Sequence, residues 1–434
     1  MKKSWASFVR MGVLGFVLLL LAACNSESSG DGKVAIEYWH MQVEEERVNV
    51  IEELIADFEE KNPDIDVKQV PIAEGDFPTK ISASLGAGQM PALLEVGVDQ
   101  ALMLGQENVL STELHTKIIK DIGKDDFYDG ALNFTRAPGE NGYYGVPMYG
   151  WVQGIWYRKD LFKEKGLEPP TNWENILKAA KAFHDPDNDK YGIVVGTNED
   201  DFAEQTFSQY AISNKARVFG KEGKINFNSN EMVEALDYYK QLSQFTPPGA
   251  ESWREARELY LSERAPMVMY SSYLMSDLVS NDMADVTGFA IPEKKQPATF
   301  GQITSLAIPN TVSDEEKAAS EKFLRFLMED ENYIKYLHMS PGGANPTLKS
   351  IAESEKYLSN ETLKAYGEGA ADIAAGLESL KRFGFQENTV YPEMGDISSK
   401  HIIGKAIFNM TVQDQSPKEV AEKAQESMKK TVNQ

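Results

Sequence analysis

The run Asn141–Phe162 sets six amphipathic rings, Tyr143, Tyr144, Tyr149, Trp151, Trp156 and Tyr157, on one strand-like stretch. Such rings offer a flat apolar face and a polar edge, which suits non-covalent capture of a neutral, hydroxyl-bearing guest. Gly145, Gly150 and Gly154 thin the run, so a backbone or a ligand can come close. Pro147 cannot donate to a β-ladder, so it must stand at an edge or where a strand passes between sheets. The stretch reads as a crossing between two lobes whose rings face a cleft. The competing reading is a buried strand with tyrosines on its rim.

Side chains suited to covalent chemistry are missing or scattered. There is no Gly-x-Ser-x-Gly elbow, no phosphate loop and no His-Glu-x-x-His string, and His40, His115, His184, His338 and His401 lie far apart. Paired carboxylates at glycosidase spacing arise by chance among 67 acidic residues, so sequence leaves hydrolysis open. Asp185-Pro-Asp187-Asn-Asp189 alternates acids as calcium loops do. It lacks glycine at the sixth place and an acid at the twelfth, Gly196, so it reads as a polar turn. No metal and no cofactor are expected.

These residues must be positioned by a chain of 434, too long for one core and suited to two lobes. Hydrophobic residues at 42% and aromatic ones at 10% mark a folded body. A net charge of −23 argues against nucleic acid or anionic lipid as main partner and favours a soluble monomer. The single cysteine, Cys24, allows no internal disulfide. Lys2, Lys3 and Arg10 followed by apolar Met11–Leu21 and Leu21-Ala-Ala-Cys24 resemble a bacterial lipoprotein signal, with cleavage before Cys24 and a diacylglycerol on its thiol. The apolar run is too short to span a bilayer. Residues 24–33 form a polar tether, which would leave the body anchored on the extracellular face of the cell membrane.

Val34–His40 alternates as a strand, Glu45–Lys61 has helical spacing, and Ile65–Pro71 is a second strand. Helix Pro78–Gly86 and the apolar strand Met90–Val96 follow. Strands alternating with helices predict a parallel sheet covered on both faces. Ligands bind such sheets at the carboxyl ends of strands, here Trp39-His40, Glu74–Phe77 and Val98-Asp99. Further on, Thr171 or Asn172 should cap a helix in which Trp173 packs, and Tyr191–Val195 should be a strand. Thr287–Pro292 and Ser340–Pro346 read as second and third crossings.

In this order the chain resembles the extracellular solute-binding proteins of ABC importers, in the carbohydrate group related to maltose-binding protein. The resemblance is carried by Ile36–His40, Phe58–Val67, Tyr144-Gly-Val-Pro147 leading to Tyr157–Phe162, Pro170–Trp173, Thr299–Gln302 and Ala318–Leu327. It implies an α/β fold of two lobes, of the type II periplasmic-binding kind, with a hinge of three crossings. The expected division is 34–143 with 293–330, and 144–292 with 331–434. It also implies no enzymatic step, a sugar or small oligosaccharide as ligand, and an ABC permease as partner. Trp39, Trp151, Trp253 and Tyr270 are then the candidate stackers, and Asp76, Asp99 and Glu393 the hydroxyl acceptors. Ser272, Gly301 and Gly343 would stand at the mouth, and His40 at a strand end. Tyr38–Met41 and Gly75–Phe77 look like the glycerol-3-phosphate binders of the same family. Where those carry serines and an arginine, this chain has Tyr149-Gly-Trp151 and Asn388–Glu393, which suit a neutral polyol better than a phosphate.

Overall fold

The computed structural model describes residues 32–138, 142–386 and 389–432. The leader, Cys24 and most of the tether lie outside the described residues. Strands β1 (Val34–His40), β2 (Ile65–Pro71) and β3 (Leu93–Gly97) are joined by helices α1 (Glu45–Lys61) and α2 (Phe77–Ala87). The spacing of α1 turns Ile51, Leu54, Ile55 and Phe58 into the core. There Phe58 meets Phe323 at 5.0 Å and Phe326 at 5.4 Å, both on the helix Asp314–Leu327. β1 runs parallel to β2 and to β3. β3, buried throughout, pairs antiparallel with β7 (Gly301–Ala307).

β4 (Val146–Arg158) connects the two halves of the molecule. Its residues Val146–Val152 pair with β7, and Gln153–Tyr157 pair with β5 (Met267–Ser271). Ile155–Arg158 also pair with β6 (Thr287–Ala290), and Tyr149-Gly150 with β8 (Asn345–Pro346). The sheet order is β2-β1-β3-β7-β4-β5, so one strand belongs to both lobes. Pro147 lies at a bulge, where the register with β7 shifts between Pro147 and Tyr149. The chain thus tolerates a residue without an N–H inside the sheet.

Beyond the crossing, Asn172 caps the helix Trp173–Phe183 by accepting from Asn175 N, and Trp173 stacks on Tyr238 at 4.1 Å. Tyr191–Val195 is a single bridge, Val194 to Val268, not a strand. Its amides are shared between two segments: Tyr191 N donates to Arg264 O and Val194 N to Met267 O at the entry to β5, and Gly192 N donates to Phe245 O. The helix Asp330–Leu337 begins at the expected boundary of 330 yet packs on α1, with Lys335 Nζ 2.9 Å from Glu53. The acidic string closes as a turn: Asp185 and Lys190 exchange backbone hydrogen bonds, and Arg264 pairs with Asp189. Among the described residues no group of three or more His, Cys, Asp or Glu could hold a metal, and no helix is long and apolar enough to cross a membrane.

Two buried groups fasten the crossing. The Trp156 indole is fully enclosed, donates to Tyr270 O at 3.0 Å and meets the Phe289 ring edge-on at 4.9 Å. His115, on α4 (Thr112–Ile122), donates from Nδ1 to Tyr143 O at 3.2 Å and accepts at Nε2 from Ile308 N at 2.8 Å. The bond at Nε2 needs the neutral ring, because a protonated nitrogen cannot accept, and burial pushes its pKa down to about 4. Replacing Trp156 by alanine should cost about 3–5 kcal/mol in urea unfolding. Because folding lowers the His115 pKa, its contribution is complete above the unfolded value of about 6.5 and is lost as pH falls toward 4, roughly 3 kcal/mol in all. The stability gap between wild type and His115→Gln should therefore shrink by that amount from pH 7 to pH 4.

Candidate functional site

A cleft of about 500 Å³ opens where the carboxyl ends of β1, β2 and β3 meet the crossing strand. Met41–Glu44 follow β1, Ala73 and Glu74 follow β2, and Gly97 and Gln100 follow β3. Tyr149 and Trp151 of β4 face Thr304 and Gln302 of β7 as two cross-strand pairs, and all four line the cleft. Tyr273 and Tyr336 come from the far side; Trp151 lies 6.4 Å from Tyr273, and Tyr149 lies 6.0 Å from Tyr336. The walls are amphipathic rings, amides and hydroxyls.

Under these walls the polar groups are tied together. Glu95 is fully buried and accepts from Met41 N at 3.0 Å, from Gln42 Nε2 at 3.5 Å and from the Tyr336 hydroxyl. Gln42 Nε2 also donates to the Tyr149 hydroxyl at 2.9 Å, while its Oε1 accepts from Arg47 at 3.1 Å. Arg47 is the one cation among the described lining residues, and it is also 3.3 Å from Glu44. The network fixes rotamers that would otherwise have to be ordered by the guest.

Of the residues singled out by sequence, Trp151, Gly343 and, among the six rings, Tyr149 line this cleft, whereas Tyr143, Tyr144 and Trp156 are buried and Tyr157 lies away from it. Gly343 has no room for a side chain, since a Cβ would meet the Tyr273 ring at 2.2 Å. Trp39 does not reach it: the indole is buried in a separate core cluster, donates to Glu37 at 3.1 Å and carries Lys80 Nζ 4.4 Å above its ring. His40 is sealed behind the cleft, between Gln69 Oε1 at 3.0 Å and Gln42 N at 3.3 Å. Burial holds its pKa below the usual histidine range, so the neutral ring supports Gln42. Asp76 is exposed just before α2, and the neighbouring Glu74 is the lining acid.

Tyr270 is buried in the core, 6.2 Å from Phe202. Ser272 is enclosed as well; it accepts from Asn345 Nδ2 at 3.1 Å and Val152 N at 3.3 Å and donates to Gly342 O at 2.6 Å. It therefore pins the third crossing to β4. Gly301 serves strand approach, because a Cβ there would lie 2.1 Å from Trp151 O. Trp253 is 48% exposed at the start of the helix Trp253–Leu261, with Arg254 5.0 Å over its ring. Glu393 is exposed in the first turn of the helix Glu393–Ser399.

Asp99 belongs to a neighbouring cavity of about 430 Å³, between α3 (Val98–Gln106) and the helices Asp201–Ser213 and Glu393–Ser399. It stands 3.8 Å from Arg382. In the same cavity Glu204 is half-buried, accepts from Ser398 Oγ at 2.7 Å and has a second, enclosed oxygen without a partner among the described residues. Burial pushes its carboxyl up to about 7. Gln42, Gln302, Thr304 and Tyr336 were not singled out by sequence. Gln302 and Thr304 could have been found as alternate polar positions on an otherwise apolar strand; Tyr336 could not, because only the packing of its helix on α1 brings it beside Glu95.

Residues 44–334 match the bacterial extracellular solute-binding protein family. The chain is 36% identical over 393 residues to the putative ABC transporter periplasmic-binding protein YcjN of Escherichia coli (strain K12), covering 91% of each. It is 28% identical over 352 residues to the mannitol-binding protein of Pseudomonas aeruginosa, covering 77% of each. The sugar-binding protein MalE from Xanthomonas citri has the same fold, with a TM-score of 0.75 at 18% identity over 92% of this chain and 98% of that one. Through this family match and the 36% identity, the chain belongs to the bacterial extracellular solute-binding proteins, a family of binders and not of enzymes.

Proposed function

We propose that this protein captures a neutral sugar or polyol in the cleft and delivers it to an ABC permease, held at the cell surface by a lipid on Cys24. The observation that carries the reading is the pairing of Tyr149 with Thr304 and Trp151 with Gln302, which sets ring faces beside amide and hydroxyl groups. Rings stack on the apolar faces of a carbohydrate while amides and hydroxyls meet its hydroxyls. A phosphate ester would need free cations or clustered donors, and Arg47 is already held by Glu44 and Gln42. The mannitol-binding relative makes alditols the first ligands to try.

Capture works by hinge closure: the guest binds the closed state better and shifts the population toward it. We place the passages between lobes within β4, just before β7 and after the helix Asp330–Leu337, later than the expected 143/144, 292/293 and 330/331, because Val146–Val152 pair with β7 and Lys295 N donates to Ser213 O. Lipid attachment rests on the basic, apolar and Leu-Ala-Ala-Cys pattern of residues 2–24.

Calorimetry of the mature protein against alditols, monosaccharides, disaccharides and glycerol 3-phosphate tests the ligand class. Saturable binding of an uncharged member is expected, and binding confined to glycerol 3-phosphate would overturn the reading. Trp151→Ala should weaken that binding at least tenfold, about 1.4 kcal/mol, with unfolding unchanged. In cells, Cys24→Ala should abolish palmitate labelling and release the protein from the membrane fraction.

A further inference from the structure

The solute cleft and the neighbouring cavity of about 430 Å³ are separated by one layer of side chains. Asp99 lines the cavity, and Gln100, next to it on α3, lines the cleft. Phe300 lines the cavity and packs 5.8 Å from Trp151, which lines the cleft. Arg382 lines the cavity, and its Nη1 donates at 3.0 Å to Oε1 of Gln302, a cleft residue. The backbone brings the arginine there. Leu380 bridges Thr299 in parallel and Lys381 N donates to Thr299 O at 2.9 Å, so Arg382 runs beside the start of β7. Its guanidinium lies 5.4 Å from the Phe300 ring, 5.8 Å from the Phe385 ring and 3.8 Å from Asp99. A planar fork bonded at its edge and packed on rings is held in one place.

We infer that Arg382 is a specificity-determining residue that sets the length of the guest: tethered to Gln302 and Asp99, it confines the solute to the cleft and turns away chains longer than a disaccharide. This rests on the reading of the cleft as the solute site. At about 500 Å³ the cleft falls in the lower half of the roughly 300–1,000 Å³ range of small-molecule sites. The cavity beyond the partition is built of like parts, with Phe300, Phe385 and Tyr391 beside Asp201, Gln205 and Ser398. Joined, the two spaces would offer stacking faces and hydroxyl partners to a longer chain. Joining them costs the Gln302 hydrogen bond and the ring contacts of Arg382, so the tethered arginine works against the longer guest and leaves the shorter one unaffected. The same bond orients the recognition amide. With Oε1 taken by Arg382, Gln302 is left to donate from Nε2.

Calorimetry of the mature protein with mannitol, maltose, cellobiose, maltotetraose and cellotetraose reads the length preference directly. In wild type the tightest short member should bind at least tenfold more tightly than either tetrasaccharide. Arg382→Ala, whose fold is checked by circular dichroism and urea unfolding, should narrow that ratio at least tenfold by binding a tetrasaccharide more tightly than wild type does. Arg382→Gln keeps much of the stem and a polar end; it is the second variant and should narrow the ratio less. An arginine with a purely structural role would weaken short and long members alike. Tetrasaccharide binding in wild type as tight as that of the short members, or a ratio unchanged in both variants, overturns the inference. Failure of every member to bind wild type sinks the reading of the cleft and this inference with it. Binding of short members without a length preference leaves that reading standing and removes only the role given to Arg382.

Discussion

A single strand that serves two sheets is the constraint from which the rest follows. β4 gives its first half to β7 and its second to β5 and β6, so neither lobe can complete its sheet without the other. Backbone hydrogen bonds are obligatory in a buried sheet, and this strand therefore cannot be displaced to open the cleft. Motion between the lobes has to be absorbed where the chain leaves the shared strand, at its bulge and at the loops on either side. The shared strand gives the cleft a continuous floor. Such a floor suits a protein whose task is to close on something and later let it go.

The polar groups of the floor are satisfied before any guest arrives. Glu95 would be a liability in a buried strand if it stood alone. It is instead the acceptor for a backbone amide, a glutamine and a tyrosine hydroxyl, and through Gln42 it reaches Tyr149. His40, behind the same network, steadies the Gln42 backbone. Two rings of the cleft, Tyr149 and Tyr336, are thus held by hydrogen bonds to Gln42 and to the buried Glu95. This lowers the entropy lost on binding and makes distant substitutions capable of changing affinity.

The architecture was legible because it depends on local pattern. The periodicity of Glu45–Lys61 and the alternation of Val34–His40 and Ile65–Pro71 match the observed elements to the residue, since each buries one stripe or face. The crossing strand was legible for a chemical reason: Pro147 and three glycines are affordable only where a ladder is interrupted or closely approached. The site was less legible. Trp39 and Trp151 look alike in sequence, yet one is packed under Lys80 and the other opens into the cleft, a difference set by which sheet face each strand presents. Ser272 and Gly301 lie beside the site but act in packing, holding the third crossing and admitting a neighbouring strand. Glu95 was visible as a lone acid in an apolar run, but its partners come from residues 41, 42 and 336, and no local rule brings these together.

The bulge in β4 has a further effect on the ladder it interrupts. Opposite Pro147 stands Ser305 and opposite Tyr149 stands Thr304, so Met148 is the extra residue that lets the count slip by one. Without Met148 the two strands would pair without interruption, Tyr149 still opposite Thr304 and Trp151 still opposite Gln302, and Pro147 would lose the break in the ladder that accommodates it. One inserted methionine thus opens the ladder at Pro147 while the ring–amide pairs beyond it keep their register.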